Sequence, residues 1–354
     1  MFPRVEINVD GIVQNFQVIG ELAASQGVRL NVVTKALAGY RPLIDVLVEA
    51  GADSIGEAHL SNLIMTTDPV EKWMIRPPLP SQVVNVVRYA DVSLNTEAST
   101  IRALGETAVS QGRVHKIIVM VESGDRREGV LAEDLMGLCE LTARTLGVEL
   151  YGIGTEFGCV SDVVPSVDSM DEFVRSVRAM EDDLGFELPV VSGGSSNCLL
   201  MLQEGTLPGR VNNLRVGEAI LTGRVANYRT PVPGSFLDPF TLSAEIIEIK
   251  EKPSQPTGPR APGEIPVESD PHFPDRGVRR RALVAVGKQD VGIPHLTPHD
   301  PGIQVLEGSS DVFVADVTDS ATRYRVGDIL TFSMDYFAIL PAMVSSFVEK
   351  RLIS

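Results

Sequence analysis

Leu30-Asn31-Val32-Val33-Thr34, the amphipathic stretch at residues 41–50 and Asp53-Ser54-Ile55-Gly56 form the passage that decides the fold. The first run is short, apolar and rich in β-branched residues, which suits a strand buried on both faces. In the second, Leu43, Ile44 and Leu47 recur at the spacing of one helix face. Strand, helix and strand in so short a span make a βαβ unit, whose two strands run parallel.

The alternation continues to about residue 220. Further strand runs are Lys72-Trp73-Met74-Ile75-Arg76, Asp91-Val92-Ser93-Leu94, Lys116-Ile117-Ile118-Val119-Met120-Val121, Leu150-Tyr151-Gly152-Ile153-Gly154, Pro189-Val190-Val191-Ser192 and Asn213-Leu214-Arg215-Val216. Helical stretches at 97–110, 131–146 and 169–184 lie between them. Eight such strands predict an α/β fold, a (β/α)₈ TIM-type barrel, with its site in the loops at the C-terminal strand ends. Past residue 228 the runs, such as Leu242 to Ile249 and Asp311 to Val317, come without long helices and predict a mainly β C-terminal domain. The expected division is 1–228 for the barrel and 229–354 for the β-rich domain, with residues 1–10 a candidate to pack with the latter. A Pro/Gly-rich segment at 253–276 reads as a long loop able to reach a partner subunit.

The 354-residue chain is long enough for one barrel and a smaller domain. Its net charge of −16 argues against nucleic-acid and anionic-membrane partners, which it would repel. The basic cluster Arg279-Arg280-Arg281 is short and reads as a solvated edge or a partner contact. Met1-Phe2-Pro3-Arg4 leads straight into a strand pattern, not a signal peptide, and no stretch approaches the roughly 20 apolar residues of a membrane span. Cys139, Cys159 and Cys198 are widely spaced and odd in number, which fits a reducing compartment and offers neither a disulfide framework nor a zinc site. The expected location is the cytoplasm.

Three places can carry chemistry. The first strand delivers Lys35 to the barrel mouth, where partial desolvation would favour a free amine able to form a Schiff base; the plain alternative is a solvated lysine. The seventh strand runs into Ser192-Gly193-Gly194-Ser195-Ser196-Asn197, whose glycines, hydroxyls and unpaired N–H groups can make an anion nest or simply a strand-to-helix turn. The eighth strand carries Arg215, which is costly inside a barrel without a partner, and Glu218 is close in sequence.

These features together resemble the fold-type III pyridoxal-5′-phosphate (PLP) enzymes of the alanine racemase superfamily, and within it the alanine/ornithine racemase family. The resemblance spans nearly the whole chain, through Thr34-Lys35-Ala36, Ser93-Leu94-Asn95-Thr96-Glu97, Arg127-Glu128-Gly129-Val130, Gly152-Ile153-Gly154-Thr155, Ser192-Gly193-Gly194, Leu214-Arg215-Val216-Gly217-Glu218, Gly287-Lys288-Gln289-Asp290, Ser309-Ser310-Asp311 and Asp335-Tyr336-Phe337. It implies an amino-acid racemase with PLP as cofactor, a homodimer whose sites are completed across the interface. Lys35 would hold PLP and move the proton on one face of the substrate Cα. Tyr40, Ser192, Gly194, Ser195, Gly217 and Tyr336 would lie at the cofactor, chiefly at its phosphate. Arg215 would face the pyridine nitrogen, where a permanent positive charge weakens the ring as an electron sink and favours quick reprotonation over transamination. Arg127 would orient the cofactor and the substrate carboxylate, and Ser310 and Asp311 would contact substrate, Asp311 as part of the catalytic set.

Two departures from the family pattern stand out. The region where a catalytic tyrosine would fall reads Glu251-Lys252-Pro253-Ser254-Gln255-Pro256, so the acid/base on the face opposite Lys35 is unassigned among His295, His299, Asp290, Cys159 and Cys198. Glu156 stands where alanine racemases carry a histidine; it either pairs with the side-chain ammonium of ornithine or lysine or is a hydrogen-bonded barrel residue. Ornithine, lysine, alanine and serine all remain open as substrates. The competing readings are a non-catalytic PLP carrier, which would lack the second domain; a fold-type III decarboxylase, which would place a carboxylate at Arg215; a metal-dependent aldolase; and a silent regulator.

Overall fold

A computed structural model describes residues 1–66, 69–259, 261 and 274–354. Strand β1 (Arg4–Asn8) and the helix Val9–Ala24 precede eight strands, β2 (Arg29–Val33), β3 (Ser54–Glu57), β4 (Glu71–Met74), β5 (Val92–Asn95), β6 (His115–Met120), β7 (Val148–Gly154), β8 (Val190–Ser192) and β9 (Asn213–Val216). They form a closed barrel in chain order, all pairs parallel, and β2 closes it on β9. The barrel read from the sequence is therefore present, each strand within a residue or two of its expected place. Trp73, Val92, Leu94, Ile118, Met120 and Val190 pack together as its buried core. On β7, Tyr151 packs against them, whereas Gly154 has no room for a side chain: a Cβ there would lie 2.8 Å from Met120 Sδ.

His115 begins β6, 2% exposed, with its Nε2 2.8 Å from Ser93 Oγ. Burial, helped by the charge of Arg113 and partly offset by a backbone hydrogen bond, pushes its pKa down from 6.5 to about 4. In that window the unfolded chain binds a proton that the folded barrel refuses. Stability is thus full above pH 6.5 and falls as the pH drops to about 4, by on the order of 3 kcal/mol. His115→Gln, which keeps a hydrogen-bonding partner for Ser93, is expected to remove that part of the slope of melting temperature against pH. An unchanged slope between those pH values would exclude His115 as its origin.

The chain divides into two units, Val9–Leu237 and Met1–Asn8 with Asp238–Ser354. The division falls after Leu237 and not after residue 228, because the intervening residues are bound to the barrel: Val232 N–H donates to Gly223 O (2.9 Å) and Phe236 N–H to Asn15 Oδ1 (2.6 Å). The second unit holds β10 (Phe240–Pro253), β11 (Val278–Val284), β12 (Leu296–Pro298), β13 (Gln304–Gly308), β14 (Phe313–Asp316), β15 (Ile329–Met334) and β16 (Glu349–Ile353). They run in the order β12-β15-β10-β11-β14-β13, and β1 joins them, antiparallel to β10 and parallel to β16. A helix, Tyr336–Val344, follows β15, its first turn capped by the Asp335 carboxylate, which accepts from Phe337 N–H and Ala338 N–H.

Of the expected long loop at 253–276, residues 260 and 262–273 lie outside the described residues. Arg279, Arg280 and Arg281 are not a solvated edge. They sit on β11 and are half-buried, Arg279 paired with Asp316 and Asp319, Arg280 donating to Tyr324 O and Arg281 to Ser254 O. Among the described residues no helix is long and apolar enough to cross a membrane.

Candidate active site

The end of β2 passes through buried Thr34 into a single 3₁₀ turn, Lys35–Leu37, closed by Ala38 in the left-handed region (φ 50°). Lys35 is exposed, contrary to the partial desolvation expected from its place after an apolar strand: β2 ends at Val33 and Lys35 opens the turn beyond it. Its ammonium has no hydrogen bond or ion pair among the described residues. The turn itself is braced. Thr34 Oγ1 donates to Glu57 Oε1 (2.9 Å) and Asn62 Nδ2 to Glu57 Oε2 (3.1 Å). Glu57 is fully buried, and burial raises its pKa although these hydrogen bonds pull the other way. Sequence reasoning missed Glu57; the signal was an acid closing an otherwise apolar strand.

At the end of β8, Gly194 adopts φ 127°, and a Cβ there would lie 2.8 Å from Cys198 Sγ. The N–H groups of Gly194, Ser195 and Ser196 have no acceptor among the described residues. Such a run of free backbone donors suits a phosphate. β9 is drawn against this turn, since Gly217 N–H and Ala219 N–H both donate to Ser196 Oγ (3.3 and 3.2 Å). A Cβ on Gly217 would lie 2.7 Å from Val33 O, so the residue must be glycine for β9 to pass this close to the strand that carries Lys35. Ser195 Oγ turns instead to Asn197 Oδ1 (3.4 Å), and Ser192 Oγ donates to Asn213 Oδ1 (2.7 Å). Ser196, the hydroxyl that ties the two strand ends together, was passed over in favour of its neighbour.

Arg215 is 3% exposed. Its guanidinium donates to Ser192 Oγ, to Thr155 O (2.6 Å) and to Glu156 Oε2 (3.0 Å). The partner is thus Glu156 from the β7 exit and not Glu218, which opens the short helix Glu218–Thr222. Glu156 is spoken for at both oxygens, since Oε1 accepts from Phe157 N–H (3.1 Å).

Arg127, on the loop after β6, forms a two-point ion pair with Glu128. Burial works against its charge, yet the Glu128 hydrogen bond and the charges of Cys159, Glu128 and Glu156 together raise its pKa. Cys159 is exposed, on a loop held by Asp125, whose carboxylate accepts from the N–H groups of Cys159, Val160 and Ser161 and from Ser161 Oγ. Although Cys159 as a whole is exposed, the protein packed around its thiol, then the charge of Glu156, push its pKa up to about 11 against the pull of Arg127 and Lys35. The charges of Lys35, Arg127 and Glu156 are thus all felt at Cys159. Cys198 is fully buried under the β8 turn and burial raises its pKa strongly, so it has no access to a substrate. Tyr40 is half-buried at the start of the helix Arg41–Glu49, and burial raises its phenol.

The remaining expected site residues belong to the β unit. Ser310 and Asp311 lie exposed between β13 and β14, where Ser309 Oγ and Ser310 Oγ donate to Asp311 Oδ1 (3.0 and 3.2 Å). Tyr336 opens the helix after β15 with its ring 5.9 Å from that of Phe337. Of the candidates for the opposite-face group there, His295 Nδ1 is 2.8 Å from Asp335 Oδ2, His299 Nε2 is 3.1 Å from Ser333 Oγ, and Asp290 is buried, accepting from Ser345 Oγ (2.7 Å).

Residues 7–224 match the family described as alanine racemase, N-terminal domain. The chain belongs to the alanine racemase family. The resemblance read from the sequence is borne out. Over their full lengths, this alanine racemase family member is 36% identical to the ornithine racemase of Acetoanaerobium sticklandii, with 100% of both chains covered. It is 35% identical to the lysine racemase of Thermotoga maritima, covering 99% of this chain and 98% of that one. Among solved structures, the alanine racemase of Streptomyces coelicolor is similar with a TM-score of 0.75, 18% identity and 99% and 98% of the two chains covered. The D-threonine aldolase of Filomicrobium marinum gives 0.74 at 17% identity, over 97% and 89%. At such identities the likeness is one of fold, shared by racemase and aldolase alike.

Proposed function

We propose that this chain is a PLP-dependent racemase of basic amino acids, ornithine or lysine before alanine or serine, acting as a cytoplasmic homodimer. The observation that carries the reading is the barrel mouth itself. An unpaired primary amine, Lys35, stands just after β2, and a run of unpaired N–H groups, Gly194 to Ser196, stands just after β8, with β9 between the two strands. An aldehyde that also bears a phosphate can be held at both ends by that pair. The full-length identity to racemases of ornithine and of lysine supports the substrate class.

On this reading Lys35 Nζ carries the cofactor and gives or takes the proton at the substrate Cα on one face. When bound, PLP withdraws electrons from Cα and so acidifies that proton. The Gly194–Ser196 turn would hold the phosphate, with Gly217 and Tyr40 near it. Arg215 would face the ring nitrogen and Arg127 would orient the substrate carboxylate. Ser310, Asp311 and Tyr336 would complete the site from a partner subunit, as the family resemblance implies.

The test is incubation of the protein and PLP with L-ornithine, L-lysine, L-alanine, L-serine and L-arginine separately, followed by chiral chromatography. D-ornithine or D-lysine is expected to form fastest. Bound PLP with no D-product from any of the five would overturn the racemase reading.

A further inference from the structure

Arg215 and Glu156 form a nearly buried ion pair at 3.0 Å, with side chains 3% and 11% exposed. Three hydrogen bonds fix the guanidinium to the barrel wall, and Phe157 N–H fixes the other carboxylate oxygen. β9, which carries Arg215, pairs with β2 on one side and with β8 on the other. A molecule held by Lys35 after β2 and by the turn after β8 therefore lies over β9. In PLP the ring nitrogen is para to the carbon that bears the aldehyde, so it points away from Lys35, and Arg215 is the buried cation on the strand beneath.

A guanidinium is charged at any accessible pH. Alone, it would oppose a proton on the ring nitrogen with its full charge. With a carboxylate on its far side much of that field cancels, while the remaining N–H donors stay in place.

We infer that Glu156 is a positioning residue that clamps Arg215 and cancels most of its charge, so that the ring of bound PLP meets an ion-paired donor in place of a free cation. The inference rests on the PLP-racemase reading. It has a consequence for selectivity. Glu156 spends its charge on Arg215, so on this inference its role is to set the charge beneath the ring and not to recognise the side-chain ammonium of ornithine or lysine.

The test follows the absorption spectrum of PLP bound to the substrate-free protein as a function of pH. In Glu156→Gln, which keeps the shape and an acceptor for Arg215, the uncompensated charge is expected to lower the spectral midpoint by about one pH unit or more. The double variant Glu156→Gln/Arg215→Gln removes both charges and is expected to return within about half a unit of wild type. The ratio of kcat/KM for ornithine to that for alanine should stay within about twofold in the single variant. An unshifted midpoint in the single variant overturns the inference, as does a double variant displaced as far as the single one. A changed ornithine-to-alanine ratio with an unmoved spectrum would assign Glu156 to the substrate instead. If the single variant does not fold, a double variant shifted by more than about a unit from wild type shows that the two charges do not cancel. Failure of the underlying reading looks different: wild type itself would give no PLP spectrum dependent on Lys35.

Discussion

Lys35→Ala is expected to abolish formation of the D-enantiomer, by on the order of 10⁴-fold, while moving the melting temperature by no more than about 2 °C. The two halves of this result have separate causes. Lys35 is exposed and makes no hydrogen bond or ion pair, so its removal leaves no buried donor unsatisfied and no cavity. The turn that carries it is held by its neighbours, through Thr34 to Glu57 and through Glu57 to Asn62, none of which the substitution touches. The chemistry, in contrast, depends on one amine at this place, both as the anchor of the cofactor and as the group that moves the proton. Initial rates by chiral chromatography and a thermal melt of the same preparation check both. Residual racemisation within tenfold of wild type would remove Lys35 from the reaction, and a large drop in melting temperature would show that the turn depends on it.

What the sequence revealed and what it hid divide along physical lines. Parallel barrel strands are buried on both faces, so β6 and β8 appear as short apolar, β-branched runs, although the helix Val83–Tyr89, with Val83-Val84-Asn85-Val86-Val87, carries a similar run. Strand ends are less distinct. Ile75 continues the apolar run of Trp73 and Met74, yet the strand ends at Met74, because the ladder and not the composition sets the boundary. The division between the units behaves similarly: residues 229–237 have loop composition, and only their bonds to Gly223 and Asn15 assign them to the barrel. Single side-chain partners were the least legible. Glu218 was the natural partner for Arg215 from nearness along the chain, but a barrel brings together strand ends that are far apart in sequence, here Arg215 and Glu156. Ser195 and Ser196 are chemically identical neighbours, and the 3₁₀ turn Ser196–Cys198 decides which of the two hydroxyls reaches Gly217.

Arg215→Met is expected to destabilise the protein by about 3–5 kcal/mol, a fall in melting temperature on the order of 10 °C, and to abolish activity as well. Methionine fills much of the space of arginine, so the loss arises mainly from charge: Glu156, 11% exposed, would be left with a carboxylate facing only Phe157 N–H, and Thr155 O and Ser192 Oγ would lose a donor. A buried ion pair and its neutral replacement differ far less than a pair and a half-pair do. The double variant Arg215→Met/Glu156→Gln should therefore recover most of the lost stability, leaving a coupling of at least about 2 kcal/mol between the two sites. It should not recover the activity, because the cationic donor on β9 is still missing. That combination separates the two roles of the pair, since a barrel that melts normally and does not racemise places Arg215 in the reaction, whereas recovery of both together would reduce the pair to a support of the barrel wall.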